Sequence, residues 1–198
     1  MIGQVRFFLF IRCLLAAGFV LAAQGQILGQ ADIDNGVVRL GVNPRGSMGI
    51  NPAINAPITS AGPGAVNYLT LRYMPTNGEA DSGGVLEERW GVADSLSTNF
   101  GGSLGGANTN LVLGTFTSTA NSAVAMVTAG GILEVTHDYY PSSNPNAYEI
   151  LLTIKNVSAG AVNVIYRRAF QWDIEPTAFS EFITLQGSAQ PGEQVTFK

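Results

Sequence analysis

Apolar and polar residues alternate along most of the chain after residue 26, in short runs that end at Gly, Pro, Asn or Ser. Successive side chains of a strand point to opposite faces, so a period of two predicts β-strands. No stretch shows the apolar spacing of three and four residues, sustained over three turns, that an amphipathic helix needs. The pattern therefore predicts a nearly helix-free domain with strands at Val37–Val42, Tyr68–Tyr73, Leu111–Thr117, Val124–Thr128, Ile132–Tyr140, Tyr148–Lys155, Val162–Asp173, Glu181–Gln186 and Val195–Phe197.

The clearest alternation lies in the second half of the chain, where polar turns separate the runs 132–140, 148–155 and 162–173. Strands joined by short turns pair antiparallel, so these runs predict a consecutive meander. One face is apolar and the other polar, which is typical of a sheet packed on a core on one side. The residues predicted to face this core are Val135, Ile150, Leu152, Ile154 and Val164.

The first half carries three segments rich in Gly, Pro, Asn and Ser, at Asn43–Gly64, Thr76–Gly84 and Asn99–Asn110. They are predicted to be long loops, which are usually functional or mobile, and any partner is expected to contact them. Gly101–Gly106 is predicted to be a flexible loop, because no helix with Lys and Ser or Thr follows it as in a phosphate-binding loop. The predicted fold class is an all-β antiparallel β-sandwich with long loops rich in Gly, Asn and Pro.

The first 25 residues have the composition of a secretory signal peptide. Arg6 and Arg12 are positive, Leu14–Ala23 is a short uncharged apolar run, and small residues follow. The run is shorter than the roughly twenty residues of a membrane helix, which favours cleavage over a retained anchor, the alternative. We therefore predict a signal peptide over 1–25 and a single secreted domain over 26–198, with truncation of a longer protein left open.

The net charge limits which partners are expected, and the cysteine content limits which interactions can stabilise the domain. Loss of Arg6 and Arg12 would leave 8 Lys and Arg against 14 Asp and Glu, a net charge of −6. Nucleic acid and anionic membranes attract basic surfaces, so neither is predicted as a partner, and no membrane anchor is expected after cleavage. Cys13, the only cysteine, lies in the signal segment, so packing without disulfides must stabilise the mature domain.

His137 is the only histidine, which excludes most metal and acid–base schemes. A structural zinc site needs about four Cys or His ligands, and a nucleophilic triad needs a histidine backed by a carboxylate. Alternation puts His137 on the face of Val135 and Tyr139, with Asp138 on the other, so a partly buried, hydrogen-bonded histidine is predicted. No catalytic residue is assigned.

Two acidic and aromatic clusters supply the candidate ligand-binding residues, which are Trp172, Asp173, Glu175, Glu87, Glu88 and Trp90. In an extended chain Asp173 and Glu175 share one face, where carboxylates bind calcium if further oxygen donors converge. No cofactor is predicted, and calcium bound by these carboxylates is the alternative. The alternative explanation of these carboxylates is ion pairing with Arg167 or Arg168.

Five segments spread over the mature chain carry a resemblance to known proteins: Val38–Asn43, Leu71–Pro75, Arg89–Ala93, Val135–Tyr139 and Arg167–Ser180. Together they resemble a group of uncharacterised bacterial secreted proteins, a resemblance that covers most of the mature chain and implies secretion but no known activity. More loosely, the turn Lys155–Ser158 and its flanking strands are similar to parts of galactose-mutarotase-like supersandwich domains in carbohydrate-active proteins. Mutarotases use a pair of histidines and an acid, so this resemblance implies no catalytic residue here.

Two functions of different classes are consistent with these observations. The first is a non-enzymatic binding or structural domain, secreted or on the cell surface, with an extracellular partner. The second is a carbohydrate-binding or carbohydrate-active domain, because aromatic faces beside acidic groups stack on sugars as they do on other apolar surfaces. The aromatic residues concerned are Trp90, Trp172, Tyr139 and Tyr140.

We expect the mature protein to begin between Gln24 and Ile27 and to carry no lipid, because the small residues follow Cys13 rather than precede it. N-terminal sequencing of the exported protein measures the cleavage point. An intact Met1 on a membrane-bound product would contradict cleavage.

Overall fold

The computed structural model describes residues 29–50, 59–62, 65–81, 88–104 and 107–180. Within these ranges the chain is all-β, with twelve strands and no helix, as the alternation predicts. The strands are β1 (Ala31–Asp34), β2 (Val38–Val42), β3 (Leu71–Tyr73), β4 (Gly78–Glu79), β5 (Arg89–Asp94), β6 (Phe100–Leu104), β7 (Ala107–Thr109), β8 (Leu111–Ser118), β9 (Ala123–Ala129), β10 (Leu133–Pro141), β11 (Tyr148–Asn156) and β12 (Val164–Ala169).

The strands form three antiparallel sheets of four strands each. Sheet A has the order β1-β2-β3-β4, sheet B the order β11-β10-β9-β8, and sheet C the order β12-β5-β6-β7. Most pairs join strands that are adjacent in sequence, whereas β12 follows sheet B in the chain and returns to pair with β5. Sheet C therefore joins residues 89–94 to residues 164–169.

One face of sheet B is covered by two sheets. Every second residue of β10 from Leu133 to Tyr139 is buried, and β9 alternates in the same way. The Tyr139 end packs against sheet A, whereas the Leu133 end packs against Trp90 and Val92 of sheet C. Sheets A and C thus lie side by side over sheet B, an arrangement compatible with a β-sandwich.

The predicted meander is right for two of its three strands. β10 and β11 pair antiparallel, and Ile150, Leu152 and Ile154 pack against the two cores, although as residues of an edge strand they are only half-buried. The prediction for the third strand is wrong, because β12 spans only 164–169 and belongs to sheet C. Val164 is 40% exposed rather than in the core, because it lies at the end of β12 opposite Asp94.

The segment Asn99–Asn110 is a β-hairpin rather than a long loop, since β6 pairs with β7. The predicted flexible loop at Gly101–Gly106 is therefore wrong for its described residues. Gly102 pairs with Gly91, and a Cβ on Gly102 would lie 2.4 Å from the carbonyl oxygen of Trp90. Close approach of two strands, rather than flexibility, explains this glycine.

Strands β1, β4 and β5 also lie outside the predicted set. β1 and β4 have four and two residues, too few for a period to be recognised, and β5 is interrupted by Gly91 and ends at a charged residue. The signal peptide over 1–25 and the strands predicted at Glu181–Gln186 and Val195–Phe197 lie outside the described residues. The described part of the chain has no helix of the length and apolarity needed to cross a membrane.

Replacing Leu133 by Ala should lower the free energy of unfolding by about 2 to 5 kcal/mol, because the cavity left by a buried leucine closes only partly. The Leu133 side chain is 1% exposed, whereas that of Leu151 on β11 is 54% exposed. The matched control Leu151→Ala should therefore cost less than about 0.5 kcal/mol. Urea unfolding measures both values, and equal losses would contradict the inner face assigned to sheet B.

Candidate functional site

A buried ion pair lies where sheets A and C meet over sheet B. Oε1 of Glu88, just before β5, is 3.0 Å from Nε of Arg168 on β12, and the two side chains are 2% and 13% exposed. The second carboxylate oxygen of Glu88 accepts the backbone N–H of Met48 at 2.7 Å. Burial raises the pKa of Glu88, and the charge of Arg168 opposes that rise. The pair is therefore an internal contact whose charges must compensate each other.

Arg168 extends this contact to sheet B and to the loop after β2. Its Nη2 donates to the hydroxyl of Tyr139, and its guanidinium lies 5.5 and 5.4 Å from the ring centroids of Tyr139 and Phe170. The Tyr139 hydroxyl donates in turn to the carbonyl oxygen of Gly46 at 2.7 Å. Burial raises the pKa of Tyr139, so its hydroxyl stays protonated and serves as donor and acceptor.

His137 is fully buried beside this network, which is deeper than the partly buried position predicted for it, and the predicted hydrogen bond is present. Its Nε2 is 3.1 Å from the hydroxyl of Tyr166, and its ring centroid is 4.7 Å from that of Trp90. A Cβ on Gly46 would come within 2.2 Å of the His137 Nδ1 atom, so the loop packs tightly on the ring. Burial, helped by the charge of Arg168, lowers the pKa of His137 to about 3. The imidazole is therefore neutral and shielded from solvent at neutral pH.

The described start of the first predicted loop, residues 43–50, fills the junction of the three sheets and is mostly buried. The Asn43 side chain accepts the N–H of Arg45 at 3.0 Å, and Gly46 has a φ of +74°, which favours glycine. This turn aims the carbonyl oxygen of Arg45 at the indole N–H of Trp90, which donates to it at 3.0 Å. The prediction that a partner contacts this loop does not hold for residues 43–50, because they form part of the core.

Asp173 and Glu175 are both buried while Trp172 is 37% exposed, as expected for alternating faces of an extended chain. Oε1 of Glu175 accepts the hydroxyl of Ser60 at 2.9 Å, and Oε2 accepts the N–H of Glu79 at 2.8 Å. Both oxygens of this carboxylate thus hold the segment against the edge of sheet A.

Asp173 forms a parallel bridge with Asp81, and both side chains are buried. The expected ion pair of Asp173 with Arg167 or Arg168 is wrong, since Arg168 pairs with Glu88 and Arg167 is exposed on the other face of sheet C. Among the described residues no group of three or more His, Cys, Asp or Glu converges as metal ligands.

The two acidic clusters approach each other across a cavity of about 10 Å³. Glu88 and Asp81 line it together with Trp172, which stacks on Phe170 at a centroid distance of 4.9 Å. This volume has room for about one water molecule. The cavity in this form is therefore too small for a sugar or another organic ligand.

The six predicted site residues thus fall into different environments. Glu88 and Trp90 belong to the buried junction, and Trp90 is only 1% exposed. Asp173 and Glu175 belong to the edge of sheet A, and Trp172 lines the small cavity. The sixth residue, Glu87, lies outside the described residues.

The outer face of sheet C carries an open cleft of about 500 Å³, a size that suits a small ligand. Its lining comes from β12, β5 and the start of β6. We call it the arginine cleft, and its lining includes Arg89, Gly91, Ala93, Phe100, Ile165 and Arg167.

Two rows of residues across the strands shape the arginine cleft. Ile165, Ala93 and Phe100 form one row, in which Ile165 and Phe100 are 56% and 50% exposed. Arg167 and Gly91 pair in the next row. A Cβ on Gly91 would have one neighbour within 4 Å, a carbonyl oxygen at 3.8 Å. The glycine therefore leaves bare backbone as a floor between an apolar wall and a guanidinium.

A second open cleft, of about 490 Å³, lies where the β6–β7 hairpin meets β8 and the turn between β9 and β10. Its polar side chains are Thr98, Asn99, Asn108 and Asn110, and we call it the asparagine cleft. The three asparagine side chains make no hydrogen bond to other described residues, which leaves their amides available. Asn108 pairs with Ser103 and Ser103 with Trp90, so the Asn108 side chain lies on the inner face of sheet C, opposite the face that carries the arginine cleft.

The arginine cleft was not predicted from the sequence, whereas the asparagine cleft was predicted in part. It expected a partner to contact Asn99–Asn110, and residues of that segment do line the asparagine cleft. Arg167 was considered only as a partner of Asp173. The available signal was a glycine inside a strand pattern, as at Gly91. Such glycines mark places where another group approaches the backbone closely.

No protein-family model, curated protein or solved structure matches this chain. The resemblance to bacterial secreted proteins and to mutarotase-like domains therefore stays a prediction. The buried junction and the two clefts are the features of the molecule from which its function is inferred.

We expect His137 to remain neutral from about pH 7 down to about pH 5, because its pKa is lowered from 6.5 to about 3. The unfolded chain gains a proton near pH 6.5 that the folded chain does not bind. The stability contributed by neutral His137 is therefore present above that pH and is lost as the pH falls, by about 1.4 kcal/mol per unit. NMR shifts of the ring C–H protons measure the titration, and a midpoint above about pH 6 would contradict the burial of the ring.

Proposed function

We propose that the protein is a non-enzymatic binding domain, an extracytoplasmic β-sandwich that holds a ligand on the outer face of sheet C. The observation that carries this proposal is the arginine cleft, an open cleft of about 500 Å³ in which Ile165 and Phe100 form an apolar wall near Arg167. Clefts of this size with an apolar wall and a few polar groups are typical of ligand sites.

The interior ionisable groups support a binding role rather than catalysis. Glu88 and Arg168 neutralise each other at the junction, and His137 is enclosed by Trp90 and Tyr166. A general acid or base must come within hydrogen-bond reach of its substrate. These buried groups face the three-sheet junction, away from the outer face of sheet C.

The composition and the packing support the extracytoplasmic sandwich. Sheets A and C cover sheet B through two apolar cores, which is how the layers of a sandwich bury their faces. The sequence has 24 Gly and only 12% charged residues, and its single cysteine lies in the segment predicted to be removed. A neutral polar surface without thiols suits a protein exported from the cytoplasm.

A carbohydrate is the second candidate, and the asparagine cleft favours it. A side-chain amide is both donor and acceptor, which matches the hydroxyl groups of a sugar, and three such amides line the asparagine cleft. This site differs from the one predicted at the tryptophans, because Trp90 is buried and Trp172 lines a cavity for one water molecule.

A glycan array with the labelled mature protein tests both candidates. Phe100→Ala should weaken binding at least tenfold if the arginine cleft is the site, because it removes the aromatic side chain of that cleft. The matched control Leu151→Ala removes an equally exposed apolar side chain from sheet B and should bind normally. Thermal unfolding of both variants establishes that they are folded.

Three outcomes would change these conclusions. Glycan binding that survives Phe100→Ala would show that the arginine cleft is not the site. Hydrolysis of any glycan would contradict the non-enzymatic role. Failure to bind any glycan would remove the carbohydrate candidate and direct the search to protein ligands.

A further inference from the structure

Sheet B ends in two long edge strands, β8 and β11, which differ in regularity. The register of β8 shifts between Leu113 and Phe116, and the strand contains Gly114. In contrast, β11 pairs with β10 over nine consecutive residues without a shift and contains no Gly or Pro. Bulges, prolines and inward-pointing charges are among the devices that keep an edge strand from pairing with another chain. The strand β11 has none of these.

The outer edge of β11 is open among the strands that the structure describes, because β11 is the last strand in the order of sheet B. Its inward side chains Ile150, Leu152 and Ile154 pack on the two cores but stay half-buried. One row shows why: Val127 and Val135 each have a strand on both sides and are 0% exposed, whereas Ile154 at the end of that row is not fully covered. One further strand would cover this apolar edge.

The sequence of β11 is complementary to itself about Leu152. When two copies run antiparallel with Leu152 opposite its own counterpart, Ile150 lies opposite Ile154 on the inner face. On the outer face Glu149 then lies opposite Lys155, and the two-fold symmetry creates this pair twice. Residues opposite each other have Cβ atoms about 5 Å apart, where opposite charges stabilise the pairing and like charges weaken it. An axis one residue to either side loses both charge pairs.

The charged groups of β11 are accessible to such a partner. Lys155 is 67% exposed and has one carboxylate nearby, that of Glu134 on β10, at 3.7 Å. Glu149 is also exposed. An ammonium group has three N–H donors, so Lys155 can bond Glu134 on one side and Glu149 of a second copy on the other.

We propose that this edge binds a second copy of the chain, and that the dimer has its two-fold axis at Leu152. The two copies of sheet B then form one continuous antiparallel sheet, and the same patch of each copy contacts the other, as two-fold symmetry requires. The apolar row on the inner face continues across the axis, and a charge pair lies on each side of it. This inference is independent of the proposed binding function.

Sedimentation equilibrium of the exported protein tests the proposal by measuring the dissociation constant of the dimer. Lys155→Glu should raise this constant about tenfold, because two pairs of like charges replace two pairs of opposite charges. Adding Glu149→Lys to that variant should restore the original constant, because opposite charges again face each other. A merely structural role of Lys155 would not be rescued by this exchange.

Arg39→Glu is the matched control. It also removes a cation that pairs with a carboxylate on the adjacent strand, Asp32, but it lies on sheet A. This variant should dimerise like the original protein, and thermal unfolding checks that all variants are folded.

Four results would overturn the proposal. The protein could stay monomeric up to millimolar concentration, or the dimer could be unaffected by Lys155→Glu. The exchange of the two charges could fail to restore dimerisation. Slow hydrogen exchange of all β11 amides in a monomeric protein would show that another segment of the same chain covers this edge.

Discussion

The buried ion pair between Glu88 and Arg168 is the contact on which the arrangement of the three sheets depends. Sheets A and C both pack on sheet B, but no described strand of one pairs with a strand of the other. Side chains must therefore fasten their junction, and Glu88 does so by accepting the N–H of Met48 and pairing with Arg168. Removing one partner of a buried pair leaves an uncompensated charge that costs several kcal/mol. The loop carrying Gly46 completes this junction because Tyr139 donates to its carbonyl oxygen.

The same strand that supplies the buried cation also supplies the exposed one. Alternation along β12 sends Arg168 into the junction and Arg167 to the outer face of sheet C. Polar groups in the interior bond one another and so stabilise the fold, as in the hydrogen bond between His137 and Tyr166. On sheet C, the side chains of Arg167 and Phe100 lie on the outer face, and this division is the basis of the proposed binding function.

The candidate site could be predicted only in part. Glu88 was named from the sequence, but as a ligand-binding group and without its partner Arg168. Asp173 and Glu175 were placed on one face, which the structure confirms, yet the oxygens of Glu175 bond Ser60 and the backbone of sheet A. The sequence does not distinguish a carboxylate that binds a ligand from one that accepts a distant backbone N–H. The difference depends on contacts between segments that are far apart in the chain.

The sequence by itself determined the all-β class, most of the strands of sheet B and the inward face of β10, including the burial of His137. These follow from local periodicity, since each residue of a strand fixes the side on which the next one lies. Only the tertiary structure decided that β12 joins β5 instead of extending the meander, and that Asn99–Asn110 forms a hairpin. It also decided that Arg167 and Phe100 line one open cleft. Alternation assigns a residue to one face of its strand. The strand with which it pairs depends on which faces bury each other, and that is determined by the whole chain.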